Sequence, residues 1–206
     1  MNILVTGGHG RMAKKLKSTE ELKFYLPSRA ELNLESFDSI NSYLENKKID
    51  GLVLNAYHYL PGDVTIDNIK VIENEFSKAA KVNILSTVYM YKKLKDNLKF
   101  IILLTTGLDP EFETNYIYYR NSKSNIVDLL ERTYHIDKQV KTVFLHPGHM
   151  HDEYTYSQSA LQLTKFISKI DDLKNLNTYG IFDKDKMQAN LLQNSRSYET
   201  VEIIEL

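Results

Sequence analysis

Tyr119 and Lys123 stand four residues apart in the run Tyr119-Arg120-Asn121-Ser122-Lys123. On a helix such a pair shares one face, about 6 Å apart along the axis. The ammonium of Lys123 can then depress the Tyr119 phenol from its ordinary pKa of about 10, making it a usable acid or base. The bland reading is a surface tyrosine beside a lysine, in a chain with 14 Tyr. By itself the pair does not exceed that reading. A second group, Val5-Thr6-Gly7-Gly8-His9-Gly10-Arg11-Met12-Ala13, lies near the start. Gly7, Gly10 and the small Ala13 have the spacing of a tight turn that lets backbone approach a pyrophosphate and a helix pack on a strand. The N-terminus of the helix expected behind them is an anion site.

Elements must hold these groups. Short apolar runs alternate with longer amphipathic stretches, the pattern of a parallel sheet covered by helices. Strands are predicted at Ile3–Val5, Phe24–Leu26, Leu52–Leu54, Phe100–Leu104, Val143–Leu145, around Ile181-Phe182 and at Val201–Leu206. Helices are predicted over Arg11–Lys17, Ser36–Lys47, Ile72–Asn97, Tyr116–His135 and Ser157–Ile170. Glu31–Leu34 looks strand-like but follows the second strand too closely for the dozen or more residues of a parallel crossover. It is read as an extended loop at the sheet's edge. The expected fold is α/β: a Rossmann-like, doubly wound parallel sheet of six to seven strands with helices on both faces. Residues 1–206 form one nucleotide-binding domain in this reading, and the resemblance described below makes the nucleotide NAD(P).

Thr6-Gly7-x-x-Gly10-x-x-Ala13 and Tyr119-x-x-x-Lys123 together resemble the short-chain dehydrogenases/reductases. Four further segments fall in that family's order: Leu54-Asn55-Ala56 at a strand end, Val82-Asn83-Ile84-Leu85 in a helix, Thr105-Thr106-Gly107 ending a strand, and Pro147-Gly148 after the next. Thr106 lies 13 residues before Tyr119, an interval usual in the family. Tyr179–Asp183 resembles the segment before the last strand of short members, so the likeness spans essentially the whole chain. Three departures stand out. Tyr57 replaces the glycine after Asn55-Ala56, His151 replaces a cofactor-touching Thr, and Asn33-Leu34 replaces Asp-Val or Asp-Leu. The missing helix between Arg29 and Glu31 is closer to dehydrorhamnose reductases and other atypical members.

The resemblance implies hydride transfer between a nicotinamide and a carbonyl carbon. Tyr119 would give or take the proton, Lys123 would lower its pKa and hold the nicotinamide ribose, and Thr106 would hydrogen-bond the developing oxyanion. Asn83 would position a water that relays protons to Lys123. Cofactor contacts are expected from Gly7, Gly8, His9, Gly10, Arg11 and Met12 in the first loop. Asn33 and Leu34 would meet the adenine, with Asn55, Ala56 and Tyr57 beside it and Pro147 and Gly148 at the nicotinamide. An acidic residue after the second strand would bond a ribose 2′-OH, whereas Arg accommodates a 2′-phosphate. The chain reads Leu26-Pro27-Ser28-Arg29, with no carboxylate before Glu31. Ser28 and Arg29 therefore argue for NADP(H) over NAD(H).

Composition narrows the rest. At 206 residues, with 42% hydrophobic and 26% charged, the chain has the size and balance of one globular domain. Zero Cys removes a disulfide scaffold, a thiol nucleophile and cysteine-based zinc. His146, His149 and His151 surround a Pro-Gly turn, and no metal is expected. Lys+Arg 26 against Asp+Glu 27 argues against a nucleic-acid partner. No apolar run approaches a membrane span, and no signal peptide is read at the N-terminus. A cytoplasmic homodimer or homotetramer is the expectation. Its substrate would be a small-molecule or peptide-sized carbonyl or alcohol, reached through an open cleft because His149–Ser157 is a short loop. Two alternatives remain. A non-catalytic NAD(P)-binding sensor would not need the Asn83, Thr106, Tyr119 and Lys123 set. A nucleotide-sugar epimerase or dehydratase normally carries a sizeable C-terminal substrate domain.

Overall fold

Apolar residues alternate along the central strands, and this alternation sorts the core into two layers. In β1 (Asn2–Val5), Ile3 and Val5 face one way and Leu4 the other. Successive side chains of a strand point to opposite faces, so a strand buried on both sides needs apolar residues at every position. β3 (Gly51–Leu54) and β4 (Phe100–Leu104) follow the same rule, as does β5 (Lys141–His146) from Val143 to Leu145. These and the elements below come from a computed structural model. It describes residues 1–58, 69–105, 123–130, 132, 140–147, 150–173, 177–183, 185–192 and 200–206.

With β2 (Lys23–Tyr25), β6 (Asn177–Asp183), β7 (Gln188–Leu192) and β8 (Thr200–Glu205), the strands form one sheet in the order β2-β1-β3-β4-β5-β6-β7-β8. The first six pair in parallel, and β7 pairs antiparallel with both β6 and β8. Helix α1 (Phe37–Leu44), α3 (Ser86–Leu94) and α4 (123–130) cover one face through Ile40, Leu44, Met90, Leu94, Ile126 and Leu130. Helix α5 (Glu153–Ser168) covers the other through Tyr156, Ala160, Leu163, Phe166 and Ile167. Helix α2 (Ile69–Ala80) runs through a π turn at Lys81–Leu85 directly into α3. The expected α/β class, with helices on both faces of a mostly parallel sheet, is the observed one.

Two expectations need correction. Among the described residues the sheet has eight strands, not six or seven, and the additional one is β7. Its Gln-Ala-Asn-Leu-Leu run lacks β-branched residues, so propensity gives no signal. Pairing with β6 and β8 makes it a strand, and Asp183 Oδ1 shapes the preceding turn by accepting from the N–H groups of Asp185 and Lys186, each at 3.1 Å. The helix expected over Arg11–Lys17 shrinks to a single 3-10 turn, Ala13–Lys15. Beyond it the chain is drawn back to the sheet edge, where Ser18 Oγ and Thr19 Oγ1 accept from Phe24 and Leu22 N–H at 3.0 Å. So short a turn does not make the helix N-terminal anion site that the glycine run suggested. The extended edge loop is as expected. Residues 26–36 pass β2 without adding a strand, and Leu32 and Leu34 are buried beneath them.

Candidate functional site

β1 and β3 are neighbours, yet the chain leaves β1 for β2 on the opposite side. In an open parallel sheet this reversal opens a crevice beyond the carboxyl ends of the two strands. A cavity of about 460 Å³ lies there, lined by the loop after β1, the segment after β2 and the loop after β3. Thr6, buried at the end of β1, ties two of these loops together. Its Oγ1 accepts from the N–H of Asn55 at 3.0 Å and of Ala56 at 2.9 Å. Asn55 returns the contact, its Nδ2 donating to Thr6 O at 3.1 Å and to Gly7 O at 3.3 Å.

The glycines have separate tasks. Gly7 takes a φ of +66°, in the left-handed region, and a Cβ there would stand 3.0 Å from the Ala56 Cα. Its carbonyl accepts from Gly10 N–H at 2.8 Å, closing the turn. At Gly8 a Cβ would fall 2.2 Å from the Leu26 carbonyl carbon. Gly8 thus seats the loop against the exit of β2 and does not line the cavity.

Of the expected cofactor contacts, Gly7, His9, Gly10, Arg11 and Met12 line the cavity from the first loop. Arg29, Asn33 and Leu34 line it from the second segment, and Asn55, Ala56 and Tyr57 from the third. Ser28, Pro147 and Lys123 do not. Pro147 instead accepts through its carbonyl from Ser159 Oγ at 2.8 Å, fixing the loop after β5 to α5. Gly148, Thr106 and Tyr119 lie outside the described residues. His151, at the mouth of α5, is exposed.

Lys123 lies in α4 and is 2% exposed. Its ammonium stands over the Tyr57 ring, 5.6 Å from the centroid, a cation–π distance. The residue that replaces the family's glycine therefore joins Lys123 to the cavity wall. Asn83 is buried within the π turn, a feature that often marks functional sites. Its Oδ1 accepts from His58 N–H at 2.8 Å and its Nδ2 donates to His58 O at 3.2 Å. The amide thus clamps the loop after β3, where the resemblance implied a water-holding part. His58 lines the cavity, and its Nε2 is 2.8 Å from Glu75 Oε2. Glu75 Oε1 accepts from Lys78 at 2.8 Å, and these bonds to Lys78 and His58 hold its carboxyl below the ordinary value.

Sequence reading missed Pro27, Leu32, Glu35, His58, Val82, Met150 and Tyr156 in the lining. His58 follows Asn55-Ala56-Tyr57, and Val82 precedes Asn83, so proximity to known motifs could have marked both. Tyr156 and Met150 come from the far end of the chain and carry no such signal. Tyr156 packs beneath Arg11, whose guanidinium carbon is 4.7 Å from its ring centroid. Among the described residues, no group of three His, Asp or Glu is placed to hold a metal, and no helix is long and apolar enough to cross a membrane.

No family model matches the sequence, and no curated protein matches it. Solved structures do. A small-chain dehydrogenase shares 17% identity over 88% of this chain and 95% of its own, with a TM-score of 0.66. A carbonyl reductase from Pseudomonas aeruginosa PAO1 in complex with NADP shares 15% over 89% and 96%, with a TM-score of 0.62. A Burkholderia multivorans protein, described as a short-chain dehydrogenase/reductase with bound NADP, shares 16% over 87% and 95%, also at 0.62. The fold is therefore the Rossmann-like fold of short-chain dehydrogenases/reductases, over nearly the full length of both partners.

Proposed function

We propose that the chain binds a nicotinamide dinucleotide in this cavity, NADP(H) in preference to NAD(H), and interconverts a carbonyl and an alcohol. The observation that carries the reading is the cavity itself. It sits at the sheet's reversal point, walled at once by the glycine loop, the 27–35 segment and the 55–58 loop. Gly7 holds a left-handed backbone and a Cβ at Gly8 would collide with Leu26, so the cradle depends on glycine at both positions. When bound, the nicotinamide supplies or accepts the hydride. Arg11 and Arg29 bring positive charge to the cavity, suiting a pyrophosphate and a 2′-phosphate. Asn33 Oδ1 accepts from Glu35 N–H at 3.1 Å, which leaves the Asn33 NH₂ to meet an adenine edge. NADP in two of the structural relatives supports the same cofactor.

In this reading Tyr119 protonates or deprotonates the substrate oxygen, Lys123 lowers its pKa, and Thr106 stabilises the oxyanion. Asn83 holds the His58 backbone so that the wall beside Tyr57 keeps its shape. The substrate is a small-molecule or peptide-sized carbonyl compound or alcohol. The test is NADPH oxidation with a panel of ketones and aldehydes. Tyr119→Phe is expected to abolish turnover, at least a hundredfold by the scale of general acid–base catalysis, and to leave NADPH binding within about twofold of wild type. Wild-type-like turnover in that variant would remove Tyr119 from the mechanism. A chain that binds NADPH yet turns over no carbonyl would favour a sensor.

A further inference from the structure

The adenosine end of the cavity carries its own counter-charges. Arg29, the cation assigned above to a 2′-phosphate, has its guanidinium bonded to the Glu35 carboxylate. Both residues line the cavity. Their freedom differs: the Arg29 side chain is 74% exposed and that of Glu35 22%. Glu35 is the anchored partner, its N–H held by Asn33 Oδ1 and its successor Ser36 capping α1. Ser28, the other donor the sequence offers, gives its N–H to Glu31 Oε2 at 2.8 Å. Each donor thus already faces a carboxylate from the same stretch of chain. A carboxylate and a phosphate ask the same of a guanidinium, a charge-assisted and often bidentate grip.

We propose that Glu35 competes with the 2′-phosphate for the Arg29 guanidinium. NADP(H) binds by drawing Arg29 away from Glu35, so Glu35 sets how far the chain prefers NADP(H) over NAD(H). NAD(H), with a hydroxyl at that position, leaves the ion pair intact. Arg11 stays outside the competition. It stacks on Tyr156, has no carboxylate partner among the described residues, and attracts both cofactors alike. A pair this exposed is weak in water. The effect is therefore a change in cofactor ratio rather than an on–off switch. This inference rests on reading the cavity as a dinucleotide site.

The chain has no Trp, so affinities are read from the fluorescence of NADPH and NADH themselves, or by calorimetry. Glu35→Gln keeps the side chain's shape and removes its charge. It is expected to tighten NADPH about five- to tenfold and to change NADH less than twofold, about 1 to 1.4 kcal/mol in the ratio. In Arg29→Ala/Glu35→Gln the gain should vanish, since no guanidinium is left to release. Unfolding midpoints show whether both variants are folded, and Glu35→Asn repeats the test if the Gln variant is not. An NADPH gain that persists without Arg29 would overturn the competition, as would weaker NADPH binding or an unchanged ratio in Glu35→Gln. Failure of every variant and of wild type to bind either dinucleotide would overturn the cofactor reading itself, and this inference with it.

Discussion

Thr6 lies just before the first glycine, and its hydroxyl determines where two loops meet. The N–H groups of Asn55 and Ala56 both end on the hydroxyl of the buried Thr6, in part-buried bonds. Valine has a similar shape but no acceptor, so Thr6→Val strands the Ala56 N–H. The expected cost is about 1–3 kcal/mol, the penalty of an unpaired buried donor, read as a lower denaturation midpoint. Thr6→Ser should restore most of it. Asn83 presents the same logic from a helix. Its amide satisfies both polar groups of the His58 backbone, and Asn83→Leu would orphan them. That variant should lose stability by a similar amount and weaken NADPH binding, because the displaced wall is the one bearing Tyr57 and His58. An Asn83→Leu protein with wild-type stability and affinity would show that the clamp is dispensable.

At the scale of elements, α5 contributes Tyr156 to the cavity wall. Its N-cap is Asp152, whose side chain accepts from Thr155 N–H at 2.7 Å in a capping box. Tyr156, in the next turn, reaches the cavity beneath Arg11. At the other end Lys141 Nζ donates to the carbonyls of Ile170, Asp171 and Leu173, closing the exit from the helix. Asp152→Ala should destabilise by about 1 kcal/mol, a fall of roughly 2–4 °C in Tm for a domain this size. Asp152→Ser, which can still cap, should recover it. Gly8→Ala tests the first crossover. With 2.2 Å between the new Cβ and the Leu26 carbonyl carbon, the loop must shift away from β2, and NADPH affinity should fall well before the fold is lost.

For the whole molecule, two carboxylates link stability to pH. Glu75 is lowered from its ordinary value of 4.5 by its bonds to Lys78 and His58, and Glu31 by its bonds to the Ser28 backbone and hydroxyl. A carboxyl with a lower pKa in the folded state contributes stability that is fully present above its unfolded value. The contribution is lost as pH falls through the folded value. Tm should therefore hold from neutral pH down to about 5 and decline below about 4.5. In Glu75→Gln the neutral-pH Tm should drop towards the acid one, giving a shallower decline. An identical acid limb in wild type and variant would show that Glu75 does not contribute to it.

The sequence alone determined what repeats with the period of an element or sits at a loop's fixed position. Ile3, Val5, Val53, Ile102 and Val143 announce doubly buried strands, and Gly7 and Gly10 announce a tight turn, because the strand pleat and the left-handed backbone at Gly7 are local requirements. The missing strand after Arg29 was also legible, since too few residues remain there for a crossover. The tertiary structure decided everything that depends on distance along the chain. It cut the first helix to one turn, because Ser18 and Thr19 pull the following residues to the sheet edge. It made a strand of Gln188–Leu192 by giving it two neighbours. It set Tyr156 beside Arg11, 145 positions apart in the chain, and brought Glu35 to Arg29 and the Asn83 amide to His58. Spacing records which side chains can share a turn or a face. Which loops converge above β1 and β3, and which charges they cancel there, is settled only when the sheet brings their ends together.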